Sequence, residues 1–361
     1  MTQPTSPPGG GSESASLHAG SAEGQRSLPL LTAWDVDAGD HATALDLSFE
    51  GELAALGTLG GTIATFESAT GTPRADWLAH PGGVANLRWS SRAPLLASGG
   101  HDGRACICDE RGVTLSSIAG HASSVDHLAW SPDGALLALG SGRVASIWTV
   151  EGELAWQTDA HDTPITGLAW NSKGTELVTC CSGGAQLFRI GSPPRTRRLP
   201  WRGTPITVAW SPTDAIIAFG NHERSVRFWR LSTGQDAEMS GFSATPSALA
   251  WNADGSKLAT GGDKTIALWS FDGPGPEGTS PVHLIGHEAL CTALAFEPKH
   301  QRLASGSDDM SVLVWNSHAP NERPRRGLLS DTVVGLAWTA DASRLLAIDA
   351  AGTLRAWHTP P

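Results

Sequence analysis

A pattern of about 40 residues recurs from residue 28 onward, and no other feature constrains the fold of this chain so tightly. Each unit contains two positions that are usually aromatic. The first is occupied by Phe49, Trp89, Trp130, Trp170, Trp210, Trp251, Phe296 and Trp338. The second is occupied by Phe66, Cys108, Trp148, Phe188, Trp229, Trp269, Trp315 and Trp357. These positions account for most of the 15 tryptophans, so we interpret the chain as an array of eight similar units.

Each unit carries the signals of short strands joined by tight turns. In the third unit, SSVDHLAW alternates apolar and polar residues up to Trp130, SPDG forms a turn, and ALLALG is a short buried strand. The segment VASIW then returns as the next strand. A lone four-stranded antiparallel sheet of this size exposes both faces, so the units must stack around an axis. The repeat therefore predicts an all-β fold, a β-propeller of four-stranded antiparallel blades.

The repeat resembles that of the WD-repeat family, most closely in GHEALCTALAFEPKHQRLASGSDDMSVLVW, from Gly286 to Trp315. The resemblance implies a buried hydrogen-bonded network of a His before the first strand, a Ser or Thr on the second, an Asp in the next turn, and a Trp. Its members are expected at His287, Ser305, Asp309 and Trp315 in the seventh unit and at His80, Ser98 and Asp102 in the second. We interpret them as structural, because leaving one unpaired costs roughly 1 to 3 kcal/mol.

The histidines separate into two groups according to their place in the unit. Five precede a first strand, where the buried network accounts for them: His41, His80, His121, His161 and His287. His101 and His222 fall instead in turns between second and third strands, which line one rim of the ring. Mixed charge with occasional apolar residues is typical of a protein-binding rim, although a solvated rim has a similar composition. The predicted partner-binding residues are His101, Arg104, Arg143, His222, Glu223, Arg224, Lys264 and Met310.

The number of units and the two ends of the repeat predict how the ring closes. Eight blades fit the period, and seven remain the alternative. The last unit ends at Trp357 without a fourth strand, whereas LPLLTAWDV, Leu28 to Val36, is a spare strand before the first unit. We predict that this N-terminal strand completes the last blade, because pairing removes an exposed sheet edge. Residues 28–361 then form one domain, and residues 1–27 form a disordered Pro/Gly/Ser-rich tail.

Composition and charge limit the function and the compartment. Acidic residues outnumber basic ones by 36 to 25, and the net charge of −11 argues against broad nucleic-acid binding. Five cysteines without a regular framework indicate reduced thiols in the cytoplasm. No apolar run reaches the length of a membrane-spanning helix. We therefore expect a cytoplasmic, monomeric ring that binds a protein or peptide partner and needs no cofactor or membrane.

Two alternatives compete with a non-catalytic protein–protein interaction scaffold. A propeller enzyme would place acid, base or metal groups at the ring centre, whereas the paired Asp308 and Asp309 lie in a turn. The segments CCSGGAQLF, AEMSGF and GPEGTSP are similar to those of bacterial propellers that accompany GTP-binding metallochaperones, which implies an accessory role in zinc or cobalt homeostasis. For that role the chelating pair would be Cys106 and Cys108, which lie on the same face of one strand.

Two further segments admit both a binding and a structural interpretation. The run PPRTRRLPWRG, Pro193 to Gly203, places Trp201 among arginines, and Arg323, Arg325 and Arg326 repeat this theme in the seventh unit. Arginines beside an exposed aromatic ring can bind single-stranded nucleic acid, but charges also protect a blade edge from pairing, and we favour the edge. The insertion FDGPGPEGTSP, Phe271 to Pro281, is a binding loop or a spacer.

Overall fold

The computed structural model describes residues 27–122, 124–191, 195–273, 275–299 and 301–359, all in strands, turns and loops. Apart from Ser27, the predicted disordered tail lies outside the described residues. The described ranges form eight sheets, which confirms the prediction of eight blades over seven. Within these ranges no helix is long and apolar enough to cross a membrane.

Each blade consists of an inner, a second, a third and an outer strand. The inner strands are Ala42–Leu47, Val84–Trp89, His127–Trp130, Gly167–Trp170, Pro205–Trp210, Ala248–Trp251, Cys291–Phe296 and Val333–Trp338. The second strands are Leu53–Thr58, Leu95–Gly100, Leu136–Ser141, Glu176–Cys181, Ile216–Asn221, Lys257–Gly261, Arg302–Ser307 and Arg344–Asp349. The third strands are Thr62–Glu67, Arg104–Asp109, Val144–Thr149, Gly184–Arg189, Ser225–Arg230, Thr265–Ser270, Ser311–Asn316 and Thr353–His358. The outer strands are Pro73–Leu78, Thr114–Ala119, Leu154–Gln157, Arg195–Pro200, Gln235–Met239, Val282–Ile285, Arg325–Leu328 and, for blade 8, Leu31–Asp37.

The N-terminal segment closes the ring, as predicted, but it does so on two blades. Leu31–Asp37 pairs antiparallel with Thr353–His358 and completes blade 8. Leu28–Pro29 instead pairs in parallel with the outer strand of blade 7, as a fifth strand. Leu30, between the two, is buried in the apolar cluster shared by blades 7 and 8. The single strand expected over Leu28 to Val36 is therefore divided at Leu30, where the chain passes from the edge of blade 7 to that of blade 8.

The apolar core lies between the blades. Eight clusters of buried side chains are present, and each contains residues from two neighbouring blades. The cluster between blades 8 and 1, for example, joins Leu346 and Ile348 to Leu45 and Leu56. Burial of apolar area contributes about 25 cal/mol per Å². Each blade therefore depends on both of its neighbours for a dry interior.

The two aromatic ladders occupy equivalent positions, with one exception. All eight residues of the second ladder pair with the same position of the second strand, from Phe66 opposite Ala54 to Trp357 opposite Leu345. In the first ladder the placement of Phe49 is wrong, because Leu47 occupies the anchor position opposite Ala54.

A signal in the sequence could have placed this anchor correctly. In the seven other units the first anchor lies 18 or 19 residues before the second, as in Trp130 to Trp148 and Trp338 to Trp357. Leu47 lies 19 residues before Phe66 and satisfies this spacing, whereas Phe49 lies only 17 residues before it. Phe49 lies instead in the following turn, where it is 51% exposed.

Five tryptophans of the first ladder each link their blade to the preceding one. The indole Nε1 of Trp170 donates to the carbonyl oxygen of Ala129 at 3.0 Å. Equivalent bonds of 2.9 to 3.4 Å run from Trp130, Trp210, Trp251 and Trp338 to Arg88, Ala169, Ala209 and Ala295, respectively. Trp89 is the exception, since its buried Nε1 has no acceptor among the described residues. The interface between blades 1 and 2 therefore lacks this bond.

Candidate interaction surface

The ring has two faces, which we define by the turns that form them. The upper face carries the turns between second and third strands together with the loops that lead into the inner strands. Backbone hydrogen bonds join the two, as from the His222 N–H to the carbonyl of Thr204 at 2.9 Å. The lower face carries the turns between inner and second strands and between third and outer strands. Both definitions are used below.

All eight residues predicted for the rim are exposed on the upper face. They come from blades 2, 3, 5, 6 and 7: His101, Arg104, Arg143, His222, Glu223, Arg224, Lys264 and Met310. The corresponding turns of blades 1, 4 and 8 carry Leu59, Ser182 and Ala351 instead. The charged turns therefore form two arcs, on blades 2 and 3 and on blades 5 to 7, which the uncharged turns of blade 4 and of blades 8 and 1 separate.

Four of these side chains are held in place by hydrogen bonds. Arg104 donates from Nε and Nη2 to Ser117 at 3.0 and 2.8 Å, and Arg143 donates to the carbonyl of His161. Ser124 bonds the imidazole of His101 at 3.1 Å. The carboxylate of Glu223 accepts the N–H of Thr204 at 2.9 Å, and this bond lowers the pKa of Glu223. Fixed charges of this kind lose little conformational entropy when a partner binds.

Two rim residues have a left-handed backbone. The φ angle is 60° at Arg224 and 65° at Met310, and both are non-glycine residues in tight turns. Such a conformation costs an L-residue roughly 1 to 2 kcal/mol. The Met310 side chain is 44% exposed at its turn. These turns therefore present long side chains where glycine would be the less strained residue.

The expected network of blade 7 is present as a set of short contacts. His287 lies 2.7 Å from Ser305 through Nε2, and through Nδ1 it lies 3.0 Å from Ser311 and 3.3 Å from Asp309. Trp315 donates from Nε1 to the same Ser305 oxygen at 2.8 Å. Burial would raise the pKa of Asp309, but hydrogen bonds from His287, Ser311 and two backbone N–H groups outweigh it and hold that pKa far below its usual value. The Asp309 carboxylate is therefore engaged in structural contacts.

Blades 2 and 4 contain shorter versions of this network. His80 donates from Nδ1 to Asp102 at 3.1 Å and accepts from Ser98 at 2.9 Å. His161, in blade 4, contacts Thr179 at 2.7 Å and the carbonyl of Arg143 at 3.0 Å. Burial lowers the pKa of both imidazoles, so both are neutral in the folded protein near pH 7.

Two of the five histidines assigned to buried networks lie on the surface instead. His41 and His121 are exposed. The position that carries Ser98, Thr179 or Ser305 in the buried cases is occupied by Leu56 in blade 1 and Leu139 in blade 3. A leucine offers no hydroxyl, so a buried imidazole there would leave Nε2 unpaired. A network therefore requires the second-strand hydroxyl as well as the histidine.

The cysteines fill the interior of the blades. All five are free and buried: Cys106, Cys108, Cys180, Cys181 and Cys291. Burial raises the pKa of Cys108, Cys180 and Cys291 to about 12, and it also raises that of Cys106. Thiols of this kind remain protonated, whereas zinc binds the thiolate. In the ranges that the structure describes, no three His, Cys, Asp or Glu side chains converge as metal ligands. The metal-homeostasis alternative is therefore not supported.

The basic segment of blade 4 lacks the exposed aromatic ring that nucleic-acid stacking would need. Trp201 packs 4.9 Å from Phe219, and the guanidinium of Arg227 lies 6.0 Å from its indole. The segment's arginines that lie on the outer strand of blade 4 are exposed: Arg195, Arg197 and Arg198. In blade 7, Leu28–Pro29 pairs with Arg325 and Arg326, so that edge is covered. Pro193 and Pro194 lie outside the described residues.

The insertion of blade 6 bridges back to blade 5. Glu277 accepts from Arg230 at 2.7 Å, and Phe271 packs edge-on against Phe228 and Trp251 at 5.2 and 4.7 Å. Pro274 lies outside the described residues. These contacts favour the spacer interpretation over a free binding loop, because Phe271 and Glu277 both contact side chains of blade 5.

The innermost residues of blades 1 and 2 depart from the rest of the ring. Six blades carry alanine immediately before the inner anchor: Ala129, Ala169, Ala209, Ala250, Ala295 and Ala337. Blade 1 carries Asp46 and blade 2 carries Arg88 at this position. Asp46 accepts the backbone N–H of Trp89 at 2.8 Å, and burial raises its pKa against the opposing influence of Arg88. Sequence reasoning missed this pair, although the alanine pattern would have revealed it.

The comparisons with known proteins agree with this architecture. The family model described as "WD domain, G-beta repeat" matches five ranges, which together cover just over half of the chain: 71–109, 112–149, 152–188, 237–270 and 278–316. Each range includes residues from the outer strand of one blade and the first three strands of the next. The computationally designed Ika8 protein has the same fold, with a TM-score of 0.77, 23% identity, and 92% of this chain and 99% of that chain covered.

Curated relatives match over only part of their length and of this chain. THO complex subunit 3 of Arabidopsis thaliana is 28% identical over 210 residues, which cover 55% of this chain and 64% of that protein. WD repeat-containing protein slp1 of Schizosaccharomyces pombe is 24% identical over 254 residues, which cover 64% and 49%. The B-type cell cycle switch protein ccs52A of Medicago truncatula is 26% identical over 249 residues, which cover 64% and 50%. The chain thus spans less than two thirds of the length of each. WD-repeat proteins generally mediate protein interactions, and the five family matches show that this chain belongs to the WD-repeat family of β-propellers.

Proposed function

We propose that this propeller is a non-catalytic scaffold that binds a protein or peptide partner across its upper rim and channel mouth. The observation that carries the proposal is the exposure on one face of all eight rim residues defined above, from five separate blades. Four of them are already fixed by hydrogen bonds, as a preorganised binding surface requires. THO complex subunit 3 is named as part of a complex, which supports a similar role here.

Two further observations support the finer parts of the proposal. Asp308 and Asp309 are the paired carboxylates of the sequence, and Asp309 is bonded to His287 and Ser311 rather than poised for acid–base chemistry. Five free buried thiols suit the reducing cytoplasm, where we place the complex. The apolar clusters close the ring within one chain, which supports our proposal that the ring acts as a monomer.

The experiment is an affinity capture from the native cell with a tagged wild-type chain and a charge-reversed rim. Arg224→Glu and Lys264→Glu are the changes of choice, because neither side chain makes a hydrogen bond within the part of the chain that the structure describes. Arg143 is less suitable, since its guanidinium supports His161. We expect the double variant to lose the partner by about tenfold or more while its circular dichroism is unchanged.

A matched control reverses two acids of the lower face, Glu151→Lys and Glu153→Lys. These residues lie in the turn after the third strand of blade 3 and are exposed. The control variant should retain the partner. Retention of the partner by the rim variant, or its loss from the control, would place the binding surface elsewhere.

A further inference from the structure

Phe49 is an exposed aromatic residue at a position where every other blade has a small one. It lies second in the lower-face turn after the inner strand of blade 1, and it is the one aromatic among the large, well-exposed apolar side chains of the described ranges. The equivalent residues are Ser91, Pro132, Ser172, Pro212, Ala253, Pro298 and Ala340. A single exposed apolar side chain is common on protein surfaces, whereas an exposed aromatic ring beside a cavity is typical of an interaction site.

Such a cavity lies next to Phe49, between blades 1 and 2. Its volume is about 300 Å³, and its apolar wall consists of Phe49, Leu53, Trp89, Ala93 and Pro94. Ligand pockets range from roughly 300 to 1,000 Å³, so this one suits one or two side chains rather than a large cofactor. We call it the Phe49 pocket.

The charges around the Phe49 pocket are predominantly negative. Glu50, Glu52 and Glu110 line it, with Arg92 as the one cation. Arg92 donates from Nε to the carbonyl of Pro132 at 3.3 Å. Within the described ranges, no hydrogen bond or ion pair engages the three carboxylates. They are therefore available to a cationic ligand.

The wall of the pocket also holds the unpaired indole of the first ladder. Trp89 is 5% exposed, and its Nε1 has no acceptor, unlike those of the five other tryptophans in this ladder. A buried donor without a partner costs roughly 1 to 3 kcal/mol. The aspartate and arginine that replace alanine, Asp46 and Arg88, lie at the same junction of blades. Phe49 and Trp89 line the pocket, whereas Asp46 and Arg88 belong to the same interface between blades 1 and 2 without lining it.

We propose that the Phe49 pocket binds a basic segment of a protein partner, in which an Arg or Lys lies close to an apolar side chain. The apolar side chain enters the cavity against Trp89 and Pro94, where burial stabilises it. The cation lies among Glu50, Glu52 and Glu110, and the exposed ring of Phe49 adds a cation–π contact. A nucleic acid is disfavoured because the same carboxylates repel phosphate. This lower-face site is separate from the upper rim and does not depend on it.

The probe for this site is a display library of random dodecapeptides, selected on the full immobilised chain. We expect enrichment of peptides in which Arg or Lys stands within a few residues of Leu, Ile, Met or an aromatic residue. Binding of the selected peptides should weaken with salt, because the carboxylates are exposed and their attraction is screened.

Two variants and two matched controls locate the binding. Phe49→Ser copies the equivalent residue of blade 2, and Glu50→Lys with Glu52→Lys reverses the charge. We expect each to weaken a selected peptide about tenfold or more by calorimetry. Leu59→Ser removes an exposed apolar side chain of the upper face, and Glu151→Lys with Glu153→Lys repeats the charge change in blade 3. Both controls should bind the peptide as the wild type does.

The outcomes that overturn the proposal are distinct from those that test the rim. Selection without basic–apolar enrichment, or wild-type affinity for the selected peptide in both Phe49→Ser and the Glu50/Glu52 variant, eliminates the site. The Arg224/Lys264 variant should bind the peptide normally, so a failed rim experiment leaves this proposal standing, and the reverse also holds.

Discussion

Blades 7 and 1 have the same four strands, yet they differ at almost every position that stabilises a blade through polar contacts. Blade 7 buries His287 against Ser305, and its Ala295 carbonyl accepts the indole N–H of the next blade at 3.0 Å. Blade 1 exposes His41, and its inner strand ends at Leu47 and receives no indole hydrogen bond. Apolar packing between neighbours is therefore enough to form a blade. Polar networks add rigidity, and blade 1, which carries the proposed Phe49 pocket, forms without one.

The largest test removes residues 28–37, which complete blade 8 and add a strand to blade 7. We expect the ring to lose its cooperative unfolding transition. Blade 8 then exposes a strand edge, and the apolar clusters on both of its sides lose side chains that the removed segment contributes. Thermal denaturation followed by circular dichroism measures this. Leu31→Ser changes an exposed residue of the same segment and should unfold like the wild type, whereas Leu30→Ser should be clearly destabilised. A deletion variant with an unchanged melting curve would refute the closure.

The second test compares the two histidines directly. His287→Ala leaves Ser305 and Asp309 without their imidazole partner, and we expect a loss of about 3 kcal/mol in the free energy of unfolding. His41→Ala removes an exposed side chain and should change stability by about 0.5 kcal/mol or less. Urea denaturation of both variants gives the difference. Equal losses would mean that the blade 7 network adds nothing beyond packing.

A third test uses pH to separate buried from exposed imidazoles. Burial lowers the pKa of His80 and His161 below the ordinary value of 6.5. The unfolded chain then binds protons at these sites before the folded chain does, so stability should fall as the pH drops below about 6.5. The variant His80→Asn with His161→Asn should be less stable near neutral pH and show a smaller further loss on acidification. Urea midpoints across that range measure both effects, and an unchanged slope would contradict the assignment.

The smallest expected effect concerns the indole bonds between blades. Trp170→Phe removes the bond to Ala129, whereas Trp89→Phe removes a donor that has no partner. Both changes remove similar ring volume, so Trp170→Phe should cost about 1 kcal/mol more. Chemical denaturation at one pH measures the difference. A larger loss for Trp89→Phe would show that its N–H finds an acceptor in solution.

The sequence was sufficient to predict the repeat, the eight blades and the closure of the ring. Each of these follows from the regular spacing of about 40 residues between successive blades. It misplaced Phe49, since an aromatic ring was assumed to mark the anchor when the spacing to Phe66 pointed to Leu47. It overestimated the networks at His41 and His121, because a histidine alone does not reveal whether a hydroxyl stands opposite. It could not reveal the Phe49 pocket, which forms only when turns of the consecutive blades 1 and 2 pack side by side.

The pairing of Leu31 with His358 has a mechanical consequence. Leu31 and His358 lie opposite each other at one end of the closing strand pair, so a force that pulls the two strands apart at that end loads it first. The remaining backbone hydrogen bonds then open one after another, which requires less force than breaking all of them together. A motor or protease that pulls on the C-terminal side should therefore open blade 8 first, whereas a pull on the N-terminal side must first detach Leu28–Pro29 from blade 7.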